Sequence, residues 1–266
     1  RGRDMKKYFN IYKIFLNNAI SYEAQYRRDT WLHLATNVLW VGLLATTIEV
    51  IFGQTKEIIG WTKPEMYLLT VVYVIMDEIY TMFFKKNMIN MSELITQGEL
   101  DLVLTKPASP LFLCTTKIVL IRALYRLGIQ IGLLVWVLWH FTFVFSPTNV
   151  LIAFVLIMSG VAVAYAFVLI LNTLSFWFLR FDNVNNAWDT LSSLGRYPVT
   201  VLPKVIQVIL FTAVPIAFVG FVPTATLLGK WPVAGIFYAL GFTGIIFFIA
   251  VRFWNFAVRR YSSASS

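Results

Sequence analysis

The chain has very few of the residues from which metal and thiol sites are built. Its 266 residues include one cysteine, Cys114, and two histidines, His33 and His140, which stand far apart. One cysteine excludes an intramolecular disulfide and a thiolate metal cluster, and two distant histidines give no metal-ligand spacing. A phosphate-binding loop is missing as well, because Gly229-Lys230 is followed by Trp231. Any ATP chemistry must therefore come from another chain.

Charged residues are also scarce. They make up 13% of the chain, whereas apolar residues make up 59% and the mean hydropathy is +0.73. A soluble domain carries roughly a quarter charged residues, while the runs seen here reach the ~20 apolar residues that cross a bilayer. The predicted class is an all-α polytopic membrane protein, because a β-barrel would show short alternating segments. Cations at the ends of apolar runs explain the net charge of +9 better than binding to nucleic acid does.

Apolar runs predict five membrane spans directly. Ahead of them, residues 5–30 place apolar side chains at three- to four-residue spacing, which predicts an amphipathic helix in the membrane interface or, alternatively, an ordinary first helix packed on the protein. We expect residues 1–4 to be a tag remnant, since they precede the first methionine, and residues 31–266 to form one transmembrane domain. The spans cover about residues 33–53, 66–84, 118–145, 150–178 and 233–257.

Residues 179–232 allow two threadings. Hydropathy alone selects 205–222 as the fifth span and leaves 179–204 as a cytosolic loop. Alternatively, 184–197 is a short rising helix shielded by protein and 199–228 is a Pro-rich re-entrant outer segment, since prolines break helices and broken helices at membrane depth pack against protein. Both threadings give six crossings. Lysine and arginine lie mostly on the side of the two termini in either case, so both termini are expected in the cytoplasm and the chain in the cell (plasma or inner) membrane.

This orientation places residues 85–117 in the cytoplasm, where a charged segment interrupts the apolar pattern. Ser92 is a candidate helix N-cap, and Gly98 can end that helix in a left-handed conformation. Pro107 and Pro110 are expected to stop any further helix before the third span. The prediction is one short helix lying across the membrane base, available to a soluble partner. Its candidate contact residues are Ser92, Glu93, Leu94, Ile95, Gly98, Glu99, Leu100 and Asp101.

Ionisable residues inside apolar spans are costly and often functional. Asp77 and Glu78 lie about 10 Å deep in the second span, counted at 1.5 Å per residue, and Arg122 and Arg126 lie at a similar depth in the third. At least one carboxylate is expected to pair with one of these arginines, because isolated charges there would be expensive. The pair is either a structural clamp between two spans or a direct substrate contact, and the clamp is favoured.

Three motifs follow one another along the chain. The first is Ile95-x-x-Gly98-Glu99-Leu100-Asp101-x-x-Leu104-x-Lys106-Pro107. The second joins Tyr197-Pro198-Val199-Thr200-x-x-Pro203-Lys204 to Pro215-x-Ala217-Phe218 and Val222-Pro223-Thr224-Ala225, and the third is Arg260-Tyr261-Ser262-Ser263-Ala264-Ser265. In this order the motifs resemble the permeases of type-2 ABC exporters, in particular the branch often encoded as paired permeases beside one ATPase.

The resemblance implies an interfacial elbow helix, six spans and a coupling helix between spans 2 and 3 that docks on cytosolic ABC ATPase subunits. ATP and Mg would be bound by those subunits, and this chain would bind no cofactor and would not be an enzyme. A second permease chain, identical or related, would complete a dimer that exports substrate by alternating access. The resemblance also favours the re-entrant threading, although Val222-Pro223-Thr224 departs from the aromatic-rich version expected there. The implied outer gate is Tyr197, Pro198, Pro203, Pro215 and Pro223.

Two other functions compete with export as interpretations of the sequence. A stand-alone transporter driven by an ion gradient would use Asp77 and Glu78 as proton or cation sites, but the sequence has no inverted repeat or matched pair of broken spans to support it. An integral membrane enzyme acting on lipid would need His, Asp or Ser converging on the cytosolic loops, and these are missing.

Overall fold

The computed structural model describes residues 2–25, 27–178 and 184–261, and most of these are helical. Residues 262–265 of the third motif, and residues 179–183 at the start of the ambiguous region, lie outside the described ranges. Helices α1 (Gly2–Gln25) and α2 (Arg27–Gln54) come first, followed by an antiparallel hairpin of β1 (Glu57–Ile58) and β2 (Trp61–Thr62). The helices that follow are α3 (Lys63–Tyr80), α4 (Lys86–Thr96), α5 (Asp101–Leu104), α6 (Pro110–Thr116), α7 (Arg122–His140), α8 (Pro147–Thr173), α9 (Val184–Ser192), α10 (Lys204–Phe211), α11 (Phe221–Leu227) and α12 (Val233–Arg259).

Within these described ranges, five helical stretches are long and apolar enough to cross a membrane. They coincide with the five spans that apolar runs predict, and they make the chain a multi-pass membrane protein. Proline stands at the start of two of them, with Pro147 at the first turn of α8 and Pro232 just before α12. The stretches are Thr30–Gln54, Lys63–Thr96, Arg122–His140, Pro147–Phe176 and Val233–Arg259.

The second of these stretches is longer than predicted. Helix α3 continues through a π-helical turn, Thr81–Lys85, directly into α4. The whole helix has 34 residues, which is about 51 Å at 1.5 Å per residue and exceeds a hydrocarbon layer of about 30 Å. The last turns of this helix therefore extend beyond the membrane as a direct continuation of the span.

Helix α8 forms the centre of the bundle and packs against α12, α11 and α3. Its side chains Leu156, Val163 and Leu169 are fully or almost fully buried. The Oγ of Ser159 lies 2.6 Å from Oγ1 of Thr243 and joins α8 to α12. By contrast, only 6% of the most apolar window of the first span is buried within the chain, so that span faces lipid or another chain.

Residues 85–117 differ from the single short helix predicted from sequence. Ser92 is not an N-cap, because it lies inside α4, where its Oγ is buried and 3.1 Å from Oγ of Ser175. Pro110 does not stop a helix but begins α6, since proline at the first turn loses no hydrogen bond. Gly98 has a φ of +75° and ends the helical stretch as predicted. The segment is thus a folded unit of α4, α5 and α6.

The region from residue 199 to residue 228 is not one membrane-spanning helix. Helix α10 ends at Phe211, a break containing Pro215 follows, and α11 begins at Phe221. Residues 184–196 form the short helix of the second threading, as α9 and a 3-10 turn, Ser193–Arg196. A hydropathy-based fifth span over 205–222 is therefore not formed, because the helix is broken around Pro215.

Two glycines allow the end of α9 and the start of α11 to meet against α3. A Cβ on Gly195 would lie 2.3 Å from the carbonyl oxygen of Val219, and one on Gly220 would lie 2.6 Å from that of Gly195. Gly220 also has a φ of +104°, which disfavours any L side chain. Tyr73 of α3 lies beside both glycines. This junction fixes the end of α9 to the start of α11.

Candidate functional site

Polar side chains from four elements meet in one cavity of about 270 Å³ among the spans. Several follow a spacing of about four residues: Asp77 and Thr81 on one helix, Arg126 and Gln130 on another, and Asp189 and Ser193 on a third. Side chains four residues apart share a helix face, so each of these helices presents a polar stripe to the same space. We call this space the polar cavity. Its polar lining includes Asn37, Tyr73, Asp77, Glu78, Thr81, Lys85, Arg126, Gln130, Asp189, Ser193 and Arg196.

Glu78 and Arg126 form an ion pair at the wall of the polar cavity. Nη2 of Arg126 lies 2.7 Å from Oε1 of Glu78, and its Nε donates to the same oxygen at 3.0 Å. Gln130 Nε2 donates to the other oxygen of Glu78 at 3.2 Å. The pair contains one of the predicted carboxylates and one of the predicted arginines, and it joins α3 to α7. Arg122 begins α7 and does not line the cavity.

A second ion pair joins the π-helical turn to α9. Nζ of Lys85 lies 2.7 Å from Oδ2 of Asp189, and both side chains are about one-third exposed. The π-helical turn inserts one extra residue per turn and therefore re-aims the side chains that follow it. Sequence reasoning did not single out Lys85, Asp189, Gln130 or Arg196. The signal that points to them is the four-residue polar stripe within otherwise apolar helices.

Asp77 and Arg196 line the same cavity without a matching charge. Among the described residues, Asp77 has neither a hydrogen bond nor an ion pair, and Arg196 has no carboxylate within 4.0 Å. The Arg196 guanidinium lies over the rings of Trp40 and Tyr197, 5.5 and 5.2 Å from their centroids, which partly compensates its charge. Its Nε is buried without a hydrogen-bond partner.

At the end of the bundle that holds α4 to α6, an exposed face combines acidic and apolar groups. Glu93, Gln97 and Glu99 are exposed, and Leu102 is 66% exposed. We call these four residues, with the turn around Gly98, the docking face. Of the remaining predicted contact residues, Ser92, Ile95 and Leu100 are buried beneath it, while Leu94 and Asp101 are half-buried.

Helix α1 braces the loop that follows the docking face. The backbone N–H of Ser109 donates to the hydroxyl of Tyr8 at 3.1 Å, and Lys7 Nζ donates to the carbonyl oxygen of Pro107. The Tyr8 ring packs edge-on against Phe112 at 4.9 Å. Behind the loop, buried Asn87 holds the start of the third span, because its side chain donates to Ile118 O at 2.7 Å and accepts from Ile118 N at 2.8 Å.

The opposite end of the bundle carries the outer segment. Pro198, Pro215 and Pro223 are buried in it, whereas Pro203 is exposed at the start of α10 and Tyr197 is 37% exposed. The predicted gate residues thus belong to one folded region without converging on one point. Two ion pairs stabilise this end: Lys230 pairs with Glu65 and Lys63 with Glu49, each at 2.6 Å.

The fold and its cavity define a multi-pass helical membrane protein with buried charges among its spans, as in transport proteins. Comparison with protein-family models matches residues 38–265 to the ABC-2 family transporter protein. The match covers most of the chain, so the chain belongs to the ABC-2 transporter family, whose members are membrane permease components of ABC transporters. A comparison with curated proteins gave no match.

Proposed function

We propose that this chain is the permease subunit of an ATP-driven exporter. Two permease chains, identical or related, enclose a translocation path in the cell membrane, and separate cytosolic ATPase subunits bind ATP and Mg. The ATPases dock on the segment 92–101, and their cycle drives alternating access. The chain itself carries out no catalysis.

The observation that carries this proposal is a docking face continuous with a membrane span. Glu93 and Glu99 offer charges and Leu102 an apolar anchor, a combination suited to a protein groove. Leu100 beneath them is fully buried, so the face is held as one rigid body. Glu93 lies on the helix that continues without a break to Lys63. The turn that follows is tied back to this helix, because the N–H groups of Glu99 and Leu100 donate to the carbonyl oxygen of Leu94 at 3.0 and 3.1 Å. A partner that displaces the docking face therefore displaces the second span with it.

Two ion pairs carry that displacement across the bundle. Movement of the long helix shifts Lys85 relative to Asp189 of α9, and Glu78 relative to Arg126 of α7. Helix α9 is in turn locked to the outer segment at Gly195. Rigid-body motion of packed helices is a common form of switching, and here it links ATPase closure to the outer end.

The arrangement of the chain ends supports cytoplasmic termini. Tyr8 contacts the loop that follows the docking face. At the other end of the chain, the ring of Tyr261 packs against Phe176 at 5.7 Å, next to Ser175, which contacts α4. Both described ends therefore lie at the docking end of the bundle, where an ATPase must bind.

The test replaces Glu99 and Leu102 with alanine together and leaves buried Leu100 intact. We expect the E99A/L102A chain to fold, to reach the membrane, and to lose co-purification with the ATPase encoded beside it. ATPase activity should no longer respond to the permease. The matched control is K56A/E57A at the opposite end, where both side chains are exposed. Unchanged association and coupling in E99A/L102A would refute the docking assignment.

A gradient-driven transporter is the second candidate, and Asp77 is the observation that favours it. Its carboxylate lines the polar cavity without an ion pair among the described residues, as expected of a proton or cation site. Transport by the purified chain alone, responding to an imposed pH gradient and abolished by Asp77→Asn, would support this function over export. Dependence on an ATPase supports the first.

A further inference from the structure

The polar cavity holds an unbalanced set of hydrogen-bonding groups. After the two ion pairs are formed, the unused acceptors are the Asp77 carboxylate, Oδ1 of Asn37 and Oε1 of Gln130, and the latter two are buried without a partner. The unused charged donor is the guanidinium of Arg196, whose Nε is also buried without a partner. Buried polar groups are normally satisfied, so such a set in one cavity points to a ligand.

The orientation of Gln130 is fixed by its neighbour. Its Nε2 faces Glu78, and an ionised carboxylate can only accept, so the nitrogen must be the atom on that side. The carbonyl oxygen Oε1 is then the atom left unpaired. Gln130 is 2% exposed, and a buried amide oxygen without a hydrogen bond destabilises the fold. A donor brought into the cavity would remove that cost.

We infer that the polar cavity binds a zwitterionic group that carries a primary ammonium and an oxyanion. A primary ammonium has three N–H donors and no acceptor, which matches the three unused acceptors that line the cavity. The oxyanion, a phosphate or carboxylate, takes the fork of donors on Arg196. Such a ligand neutralises both unmatched charges at once, whereas a simple cation or anion leaves one of them isolated.

The first span lines one side of the cavity through Asn37, Trp40 and Val41, and Trp40 is 50% exposed. We expect the ligand to enter beside this span. The chemistry fits two sources: the headgroup of an aminophospholipid entering from the bilayer, or a soluble zwitterion entering from water. The inference depends on the proposed function only for its role as transport substrate, since binding is a property of the cavity alone.

Binding is tested on the purified full-length chain in phosphatidylcholine nanodiscs by calorimetric titration with O-phosphoethanolamine. We expect saturable binding, and no binding of phosphocholine, whose methylated nitrogen has no N–H to donate. Asp77→Asn and Arg196→Gln should each weaken binding about tenfold or more, the worth of one charge-assisted contact. Glu57→Gln and Lys56→Gln change exposed charges at the outer hairpin and should leave binding unchanged.

Two further measurements distinguish a lipid headgroup from a soluble ligand and control for misfolding of the variants. Phosphatidylethanolamine in the nanodisc will compete with the soluble probe if the headgroup is the ligand, and will not compete if the ligand is soluble; both results agree with the inference. Arg196→Lys, which keeps the charge, controls for misfolding of Arg196→Gln and should retain part of the affinity. Equal binding of phosphocholine, wild-type affinity in Asp77→Asn, or no binding at all would overturn it. A chain that fails this test but still couples to its ATPase leaves the proposed function intact.

Discussion

Glu78 is the carboxylate that the spans hold most firmly. Its side chain is 8% exposed, and that of its partner Arg126 is 18% exposed. Removing one partner from a buried pair leaves an uncompensated charge, while replacing both removes the problem. Single and double variants can therefore separate the cost of an unpaired buried charge from the contribution of the ion pair itself.

We predict that Arg126→Met destabilises the chain by about 3–5 kcal/mol, because it leaves Glu78 buried beside Gln130 alone. The double variant E78M/R126M should unfold closer to the wild type than Arg126→Met does. Thermal unfolding in detergent, followed by tryptophan fluorescence, measures both. Lys63→Met, which breaks the exposed pair with Glu49, is the control and should change the midpoint little. A double variant less stable than either single variant would show that the pair itself supplies the stability.

Cys114 is the sole thiol of the chain, and we expect it to react slowly with thiol reagents. It lies in α6 beneath the docking face and is buried. Burial raises the pKa of its thiol to about 11. The thiolate is the reactive form and is lost as pH falls below the pKa, so near neutral pH little of this cysteine can react. Labelling of an introduced cysteine by a maleimide can therefore be measured with little contribution from Cys114.

At the scale of the element, the junction of α9 with α11 depends on glycine. We predict that Gly220→Ala destabilises the chain by about 2 kcal/mol or more, since alanine is strained at positive φ and its Cβ would meet backbone. Gly241→Ala in α12 is the matched control: its Cβ would meet no atom within 4 Å, and helix propensity favours alanine by about 1 kcal/mol. Thermal midpoints should fall for the first and hold or rise for the second. Equal midpoints would show that the junction is loosely packed.

The helices show what local sequence can predict. Uninterrupted apolar runs identified the five long spans, because length and hydropathy are local properties. Ser92 looked like a helix start, since serine before glutamate is a capping pattern. No glycine or proline precedes it from Lys85 onward, however, and buried Met88 and Met91 keep the helix continuous. A serine that bonds a distant neighbour cannot be told from a cap by its own surroundings.

The polar cavity could be predicted only in part. Asp77, Glu78 and Arg126 stood out because each is charged within an apolar run. Asp189 and Arg196 lie more than a hundred residues beyond Asp77, in a segment whose threading the sequence left open. Their meeting with Asp77 depends on how α9 rises beside α3, which is a property of the packed bundle. The four-residue polar stripes indicate which helix faces line a polar site, but they do not indicate which helices pack against each other.

At the scale of the whole molecule, the two ends of the bundle are built for different tasks. The docking end joins α1, α4 and the end of α12 through hydrogen bonds and ring contacts. The opposite end is closed by ion pairs at Lys63 and Lys230. The polar cavity lies between the ends, on the helices that connect them. The long helix from Lys63 to Thr96 connects the two ends and also lines the cavity, so its movement changes the cavity.

The proposed orientation puts residue 200 on the outer side, whereas the hydropathy threading puts it in the cytoplasm. We predict that T200C in intact cells reacts with a membrane-impermeant maleimide as readily as K56C, because both positions are exposed at the outer end. T105C, exposed beside the docking face, should react only after the membrane is permeabilised. Cys114 in the unmodified chain is the background, and labelling in detergent shows that each introduced thiol is competent. If T200C behaves like T105C, then α9 does not cross the membrane and the six-span threading built on it is wrong.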